Sequence, residues 1–337
     1  MNIQYWQPLE DGLQNMKRLL FRPFDIGRWF VLGFTVWLIH IGRGGGSGSG
    51  NNPEVRSHVR GGDWDGAFES FGESVSDILP TEMALALILT LVAIAVVVSI
   101  VLLWVGCRAR FIWLENLTSR THQFGANWSR FGHLGDSFFL WKIGFTLVLL
   151  MVVAPLVIFG GIIGLLTGEG LGGPASVLGW MALGFGMFVV IVVSAYIDFF
   201  AESFVTVIMH RRGVGVLAAW REFRTIFEAN PGHFVLVGIM KLVLHLVSAL
   251  AVIMVALLTC CVGFLLLIIP YINAVVMLPV YAALRYYDLH WLGQFDPDLG
   301  GPANDDGDAP QETPPPQLYY GDPVSEDEST PDSDPTP

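Results

Sequence analysis

Formal charge is what this sequence has least of. Asp, Glu, Lys and Arg make up 14% of its 337 residues, against about 25% in an ordinary soluble domain. Where they are missing decides the class. None occurs between Glu82 and Arg108, between Lys142 and Glu169, or between Glu169 and Asp198. A helix on a soluble surface needs a polar face, and these segments have none. The longest gap leaves 43 residues without formal charge between Lys241 and Arg285. As one helix it would extend ~65 Å, about twice the ~30 Å hydrocarbon core. It is therefore expected to fold back as a hairpin, turning between Thr259 and Gly263.

Cysteine is scarce as well. Cys107, Cys260 and Cys261 are too few and wrongly spaced for a disulfide scaffold or a zinc site. Each reads as a small buried hydrophobe, with acylation of Cys107 at a helix end as the alternative. Catalytic signatures are lacking too: no His-Glu-x-x-His, Gly-x-Ser-x-Gly, Cys-x-x-Cys or Gly-Lys-Ser/Thr loop. The eight histidines have no ligand spacing. Gly135-Asp-Ser-Phe138 stands at a membrane entry, where a helix cap is the plainer role. The expectation is a protein that is not an enzyme, with no cofactor, no metal and no nucleic-acid partner. No cleavable leader is expected, since the first apolar run begins late and lacks a small-residue cleavage site.

Basic residues are absent after Arg285. Up to that point 18 basic residues face 17 acidic ones; beyond it stand 13 acidic residues, which account for the net charge of −12. This divides the chain into a transmembrane helical domain over 1–299 and a tail over 300–337. The tail is acidic and Pro-rich, cannot bury a core, and is expected to be disordered in the cytoplasm.

What is present is hydrophobic length. Spans are expected from Trp29 to Ile41 (extended back toward Phe24), Leu85 to Trp104, Ile143 to Leu166, Ala175 to Tyr196, Phe234 to Leu258 and Phe264 to Leu284. The first is short, near the lower limit of about 17 residues. The fold class is all-α: a polytopic transmembrane bundle of six spanning helices in three hairpins, with cytoplasmic amphipathic interfacial helices. Fourteen Lys and Arg fall on the side of the N-terminus, the second and fourth loops and Arg285; Arg43, Arg56 and Arg60 fall on the other. The positive-inside bias then puts both termini in the cytoplasm of a multi-pass protein of the cell membrane. Asn116-Leu-Thr118 and Asn127-Trp-Ser129 would face the cytoplasm as silent glycosylation triplets.

The outer first loop opens with flexible Gly/Ser composition, and Trp64, Phe68 and Phe71 suggest a short surface helix there. Trp220, Phe223, Ile226 and Phe227 alternate with charges as an in-plane amphipathic helix would. Three entries look alike: Phe30-Val-Leu-Gly33, Phe139-Leu-Trp-Lys-Ile-Gly144 and Phe234-Val-Leu-Val-Gly238. They read either as a threefold repeat or as shared Arg and aromatic anchoring. Gly160, Gly164 and Gly168 suit close helix packing, and Pro155, Pro270 and Pro279 are candidate kinks.

Residues from about Met16 to Leu299 resemble a family of uncharacterised bacterial polytopic membrane proteins. That family is distantly similar to the membrane domain attached to some glycerophosphodiester phosphodiesterases. The likeness rests on Leu20-Phe-Arg-Pro-Phe-Asp-Ile-Gly-Arg-Trp-Phe30, Arg108-Ala-Arg-Phe-Ile-Trp113 with Ser137-Phe-Phe139, and Ala219-Trp-Arg-Glu-Phe223. It continues in Pro270-Tyr-Ile-Asn273 and in Leu278-Pro279 through Arg285-Tyr-Tyr-Asp-Leu289. These are anchors and turns, so the resemblance implies a fold and supplies no activity; the phosphodiesterase catalytic domain is absent.

One polar cluster is singled out. Asp198 and Glu202 are four apart and share a helix face, as do Lys241 and His245. Counting residues from the connection between the two helices puts them at comparable depth. Two carboxylates on one face need a cation, so Lys241 is expected to pair with Asp198 or Glu202. The alternative is that all four lie at the cytoplasmic interface and snorkel to water. The expected function is a non-catalytic membrane scaffold or a lipid- or envelope-handling protein. Its partners would be the lipid bilayer and, as candidates, membrane proteins or further copies of the chain. The alternative is a small secondary transporter or permease-like protein using Asp198, Glu202, Lys241 and His245.

Overall fold

The computed structural model describes residues 3–43, 81–120, 124–167, 174–258 and 269–302. Among them there is no β-strand. Helix α1 covers Gln7–Phe21 and α2 covers Ile26–Gly42, capped by the Asp25 carboxylate, which accepts from Gly27 N at 2.9 Å. The long α3, Thr81–Thr118, leads to the short α4, Gly125–Arg130, and to the long α5, Gly132–Thr167. A single rod follows, made of α6 (Pro174–Phe200), a π-helical turn (Ala201–Val205) and α7 (Thr206–Arg212). Then come α8 (Val216–Ala229), α9 (Pro231–Leu258), α10 (Pro270–Val276) and α11 (Leu278–Leu292).

Four of these elements are long and apolar enough to cross a membrane: α3, α5, the α6–α7 rod and α9. They measure roughly 42–58 Å, more than the hydrocarbon core needs. Their two ends differ sharply. From Met83 to Val101 the apolar side chains of α3 point outward, as do those from Leu147 to Phe159, from Val177 to Val193 and from Leu242 to Leu258. Outward apolar faces of this length mark a surface that is covered by lipid or by a partner, and a length suited to crossing a membrane goes with the first. The other end, here called the base, holds the core. Phe111, Leu114, Leu117, Phe138, Phe204, Ile208, Phe234, Tyr286 and Trp291 are buried there.

The base is closed by the chain ends and the short helices. Helix α1 packs along α11, and Gln4 and Gln294 exchange two hydrogen bonds of 2.8 Å. Arg212 binds Asp296, Asp298 and Glu222. The aromatic face of α8, expected to lie in the membrane plane, turns inward instead. Phe223 stacks on Phe204 at 6.0 Å and meets Phe234 edge-on at 5.3 Å. Asn116 and Asn127 are buried and joined by a 3.1 Å hydrogen bond, which seals them from any modifying enzyme. Cys107 is buried too, which favours the inert reading over acylation; Cys260 and Cys261 lie outside the described residues.

The expected six spans in three hairpins need correction in two places. Helix α2 lies beside the base end of α3, not along its outward-facing apolar length. The contact that fixes this is glycine on glycine. A Cβ on Gly42 would stand 2.6 Å from the Cα of Gly106, and one on Gly106 would stand 2.8 Å from the Cα of Gly42. The end of α2 therefore sits level with Gly106, and the apolar run of α3 continues past it uncovered. The sixth span, Phe264 to Leu284, is not one helix. The chain breaks at extended Ile269 and again at Met277, so Pro270 and Pro279 begin helices instead of kinking one. Proline suits the first turn, where its missing N–H costs nothing.

Of the glycine stripe, Gly160 does let α5 approach α6, since a Cβ there would run into Leu183 Cδ2. The side chains at 164 and 168, the turn at 259–263 and the surface helix around Trp64 lie outside the described residues. Gly106→Leu should force α2 off α3 and lower the thermal stability in detergent by about 1–3 kcal/mol. Gly144→Ala, where a Cβ meets nothing within 4 Å, should change it little.

Candidate functional site

The site begins with a backbone irregularity. The π turn widens the rod at Ala201–Val205, and such turns leave carbonyls without their usual helical donors. Arg285 of α11 satisfies them. Its Nη1 donates to the carbonyls of Glu202 at 2.7 Å and Ser203 at 3.2 Å, and its Nη2 donates to Thr206 Oγ1 at 2.7 Å. Burial pulls the Arg285 guanidinium below its ordinary pKa, an effect the neighbouring Asp288 carboxylate opposes. The next residue, Tyr286, is locked by its hydroxyl donating to Leu117 O at 2.7 Å, and burial raises its pKa.

The same turn aims the Glu202 side chain at three cations from three other helices. Arg110 of α3 and Arg43 at the end of α2 both pair with it, and Lys142 of α5 donates at 3.1 Å. Lys142 also pairs with Asp198. On the far side of the rod Lys241 Nζ lies 2.7 Å from Asp288 Oδ1 and donates to Ser203 Oγ at 2.8 Å. Arg285 reaches the same aspartate at 3.6 Å.

These groups are level. Arg110, Lys142, Glu202 and Lys241 each stand ~12–15 Å from the base end of their helix. The apolar lengths beyond them are ~26–43 Å. Apart from Lys241 and Asp288, which are fully enclosed, the cluster marks the boundary between the packed base and the lipid-facing faces. Asp198 stands one turn farther out on the rod, ~21 Å from its base end.

The expected pairing is not observed. Lys241 pairs with Asp288, while Asp198 takes Lys142 and Glu202 takes Lys142, Arg110 and Arg43. His245 does not join the cluster: its Nδ1 bonds the carbonyl of Lys241, one turn back on its own helix, at 2.7 Å. The physical reason is rotation. Ser203 faces Lys241, and its neighbour Glu202 points away toward α3 and α5. Sequence reasoning misses Arg43, Arg110, Lys142, Arg285 and Asp288. Arg43 reads as part of the outer loop, and Arg110 and Lys142 read as loop charges that set orientation. The three-residue spacing of Arg285 and Asp288, on one helix face, is the signal that was available.

Two smaller polar sites support the base. Glu115 accepts or shares a proton with His210 Nε2 at 3.0 Å and meets Arg130 at 3.4 Å. Asp136 accepts from Arg108 and from Trp104 Nε1 at 2.7 Å, with Arg108 lying 4.3 Å above the Trp104 ring. Ser137, beside it, accepts from Val216 N at 3.1 Å and so caps α8. Asp136 and Ser137 of the Gly135-Asp-Ser-Phe138 segment are thus both held in structural contacts.

Among the described residues the ordered elements are helical, and four of the helices are long and apolar enough to cross a membrane, which is compatible with a multi-pass membrane protein. Residues 5–270 match the model of a family of unknown function, DUF7544, and the chain belongs to that family. No curated protein and no solved structure matches it.

The Lys241–Asp288 pair gives a direct test. Lys241→Ala should destabilise the protein by about 3–5 kcal/mol, because it strands a buried carboxylate. Adding Asp288→Ala should recover part of the loss, whereas adding Asp198→Ala should recover none. Thermal unfolding of the four proteins in one detergent measures it.

Proposed function

We propose that the protein is a non-catalytic multi-pass protein of the cytoplasmic membrane that handles lipids or envelope proteins, with its base in the cytoplasm. The observation that carries this reading is the division of the molecule. Every charged group of the cluster lies at the base end, and the apolar lengths of α3, α6 and α9 beyond it are unbroken helices facing outward. Secondary transporters place their sites near the bilayer midplane, on interrupted helices. A platform joined to lipid-facing struts fits the arrangement better than a conduit. The likeness to the membrane domain of phosphodiesterases is consistent with a non-catalytic part.

Cytoplasmic ends belong to the same proposal. The two described chain ends meet at the base through Gln4 and Gln294. Helices α3 and α6–α7 run toward the base, and α5 and α9 run away from it. The excess of Lys and Arg at the base supports its cytoplasmic side.

Reporter fusions after Thr81 and after Pro302 should register opposite sides of the membrane; the same side for both would overturn α3 as a span. In proteoliposomes the purified protein should show no solute flux above empty vesicles, and it should co-purify with lipid or with a defined membrane protein. Flux abolished by Glu202→Gln would establish the transporter alternative.

A further inference from the structure

The charges of the cluster do not balance. Among the described residues Arg43, Arg110, Lys142, Lys241 and Arg285 face Asp198, Glu202 and Asp288, so five cations meet three carboxylates. Lys241, Arg285 and Asp288 are enclosed at the far side of the rod. The open side is formed by Arg43 and Asp198, whose side chains are 47% and 36% exposed, with Lys142 and Arg110 behind them. The Arg110 side chain is 7% exposed, and its buried Nε has no hydrogen-bond partner. A buried guanidinium with an idle donor is costly unless something accepts from it.

The surroundings narrow the missing acceptor. The cluster opens where the outward-facing apolar surfaces begin, next to exposed Leu147, Val193 and Tyr196. A lipid lying against those surfaces with its chains toward the tips would bring its phosphate to the level of Arg43. Arginine forks match phosphate oxygens two at a time. We propose that Arg43, Arg110 and Lys142 form a binding site for the phosphate of an anionic phospholipid of the base-side leaflet. Glu202 keeps its three cations in place, and Asp198 holds Lys142 from the open side. This inference rests on the lipid-handling reading and names the chemical group that the reading leaves open.

The test uses the full-length protein in nanodiscs of phosphatidylcholine alone and with phosphatidylglycerol, read by thermal unfolding and by phospholipid retained after detergent exchange. Phosphatidylglycerol should raise Tm by about 3–5 °C over phosphatidylcholine and be retained preferentially. Arg43→Gln should lose most of that difference while melting normally in phosphatidylcholine, and Arg43→Lys should keep part of it. Arg108→Gln removes a cation already matched by Asp136 and should leave the difference intact. No preference in the wild-type protein, or an equal preference in Arg43→Gln, overturns the site. Inorganic phosphate in detergent should give no comparable shift; if it does, and the two lipids behave alike, the lipid source is overturned. Retained lipid that is insensitive to Arg43 overturns this site and leaves the lipid-handling reading standing. Solute flux abolished by Glu202→Gln, with no lipid retained, removes both.

Discussion

A carboxylate on a widened helical turn organises this molecule. Glu202 projects from the π turn of the α6–α7 rod and draws Arg43, Arg110 and Lys142 to one point. Those three residues belong to α2, α3 and α5, so one side chain ties three helices to a fourth. The irregular backbone that aims it also releases the carbonyls that hold Arg285, which brings in α11. A regular α-helix here would remove both attachments together. Removing one member of such a cluster leaves its buried partners uncompensated. The base is therefore specified as a unit.

The lipid-facing lengths depend on that unit. Beyond the cluster, α3, α6 and α9 bury almost none of their apolar surface within the protein. In a bilayer lipid tails are as apolar as leucine, so little drives those lengths together. Their relative placement is set at the base, by Gly42 on Gly106, by the aromatic group around Phe204 and Phe234, and by the ion pairs. Gly160 against Leu183 adds a contact between α5 and α6 farther out.

Hydrophobic length is legible in the sequence because charge is excluded from lipid whatever the tertiary arrangement. Four of the expected spans coincide with membrane-length helices for that reason. Helix α2 is misjudged because its composition suits either lipid or a protein interior, and only the Gly42–Gly106 contact fixes its level. The segment after Phe264 reads as one apolar run, yet Pro270 and Pro279 each start a helix. Side-chain pairing is the least legible. Asp198 and Glu202 do share a face, since Lys142 binds both, but no hydropathy pattern records that this face turns toward α3 and α5 while Ser203 turns toward Lys241. Asp288 is hidden by its company, standing first in a run of acids of which the next two described, Asp296 and Asp298, bind Arg212.

The meeting of α1 with α11 has a consequence for biogenesis. The first helix to leave the ribosome finds its packing partner only when the last is made, roughly 270 residues later. At about 5–20 residues per second that delay is roughly 15–50 s. Throughout it Leu19 and Leu20, fully buried in the finished protein, lack the cover that α11 gives them. An amphipathic helix in that position has the membrane surface as its waiting place. Closure of the base is then a late event, in which α1 exchanges lipid for α11 after every long helix is already inserted.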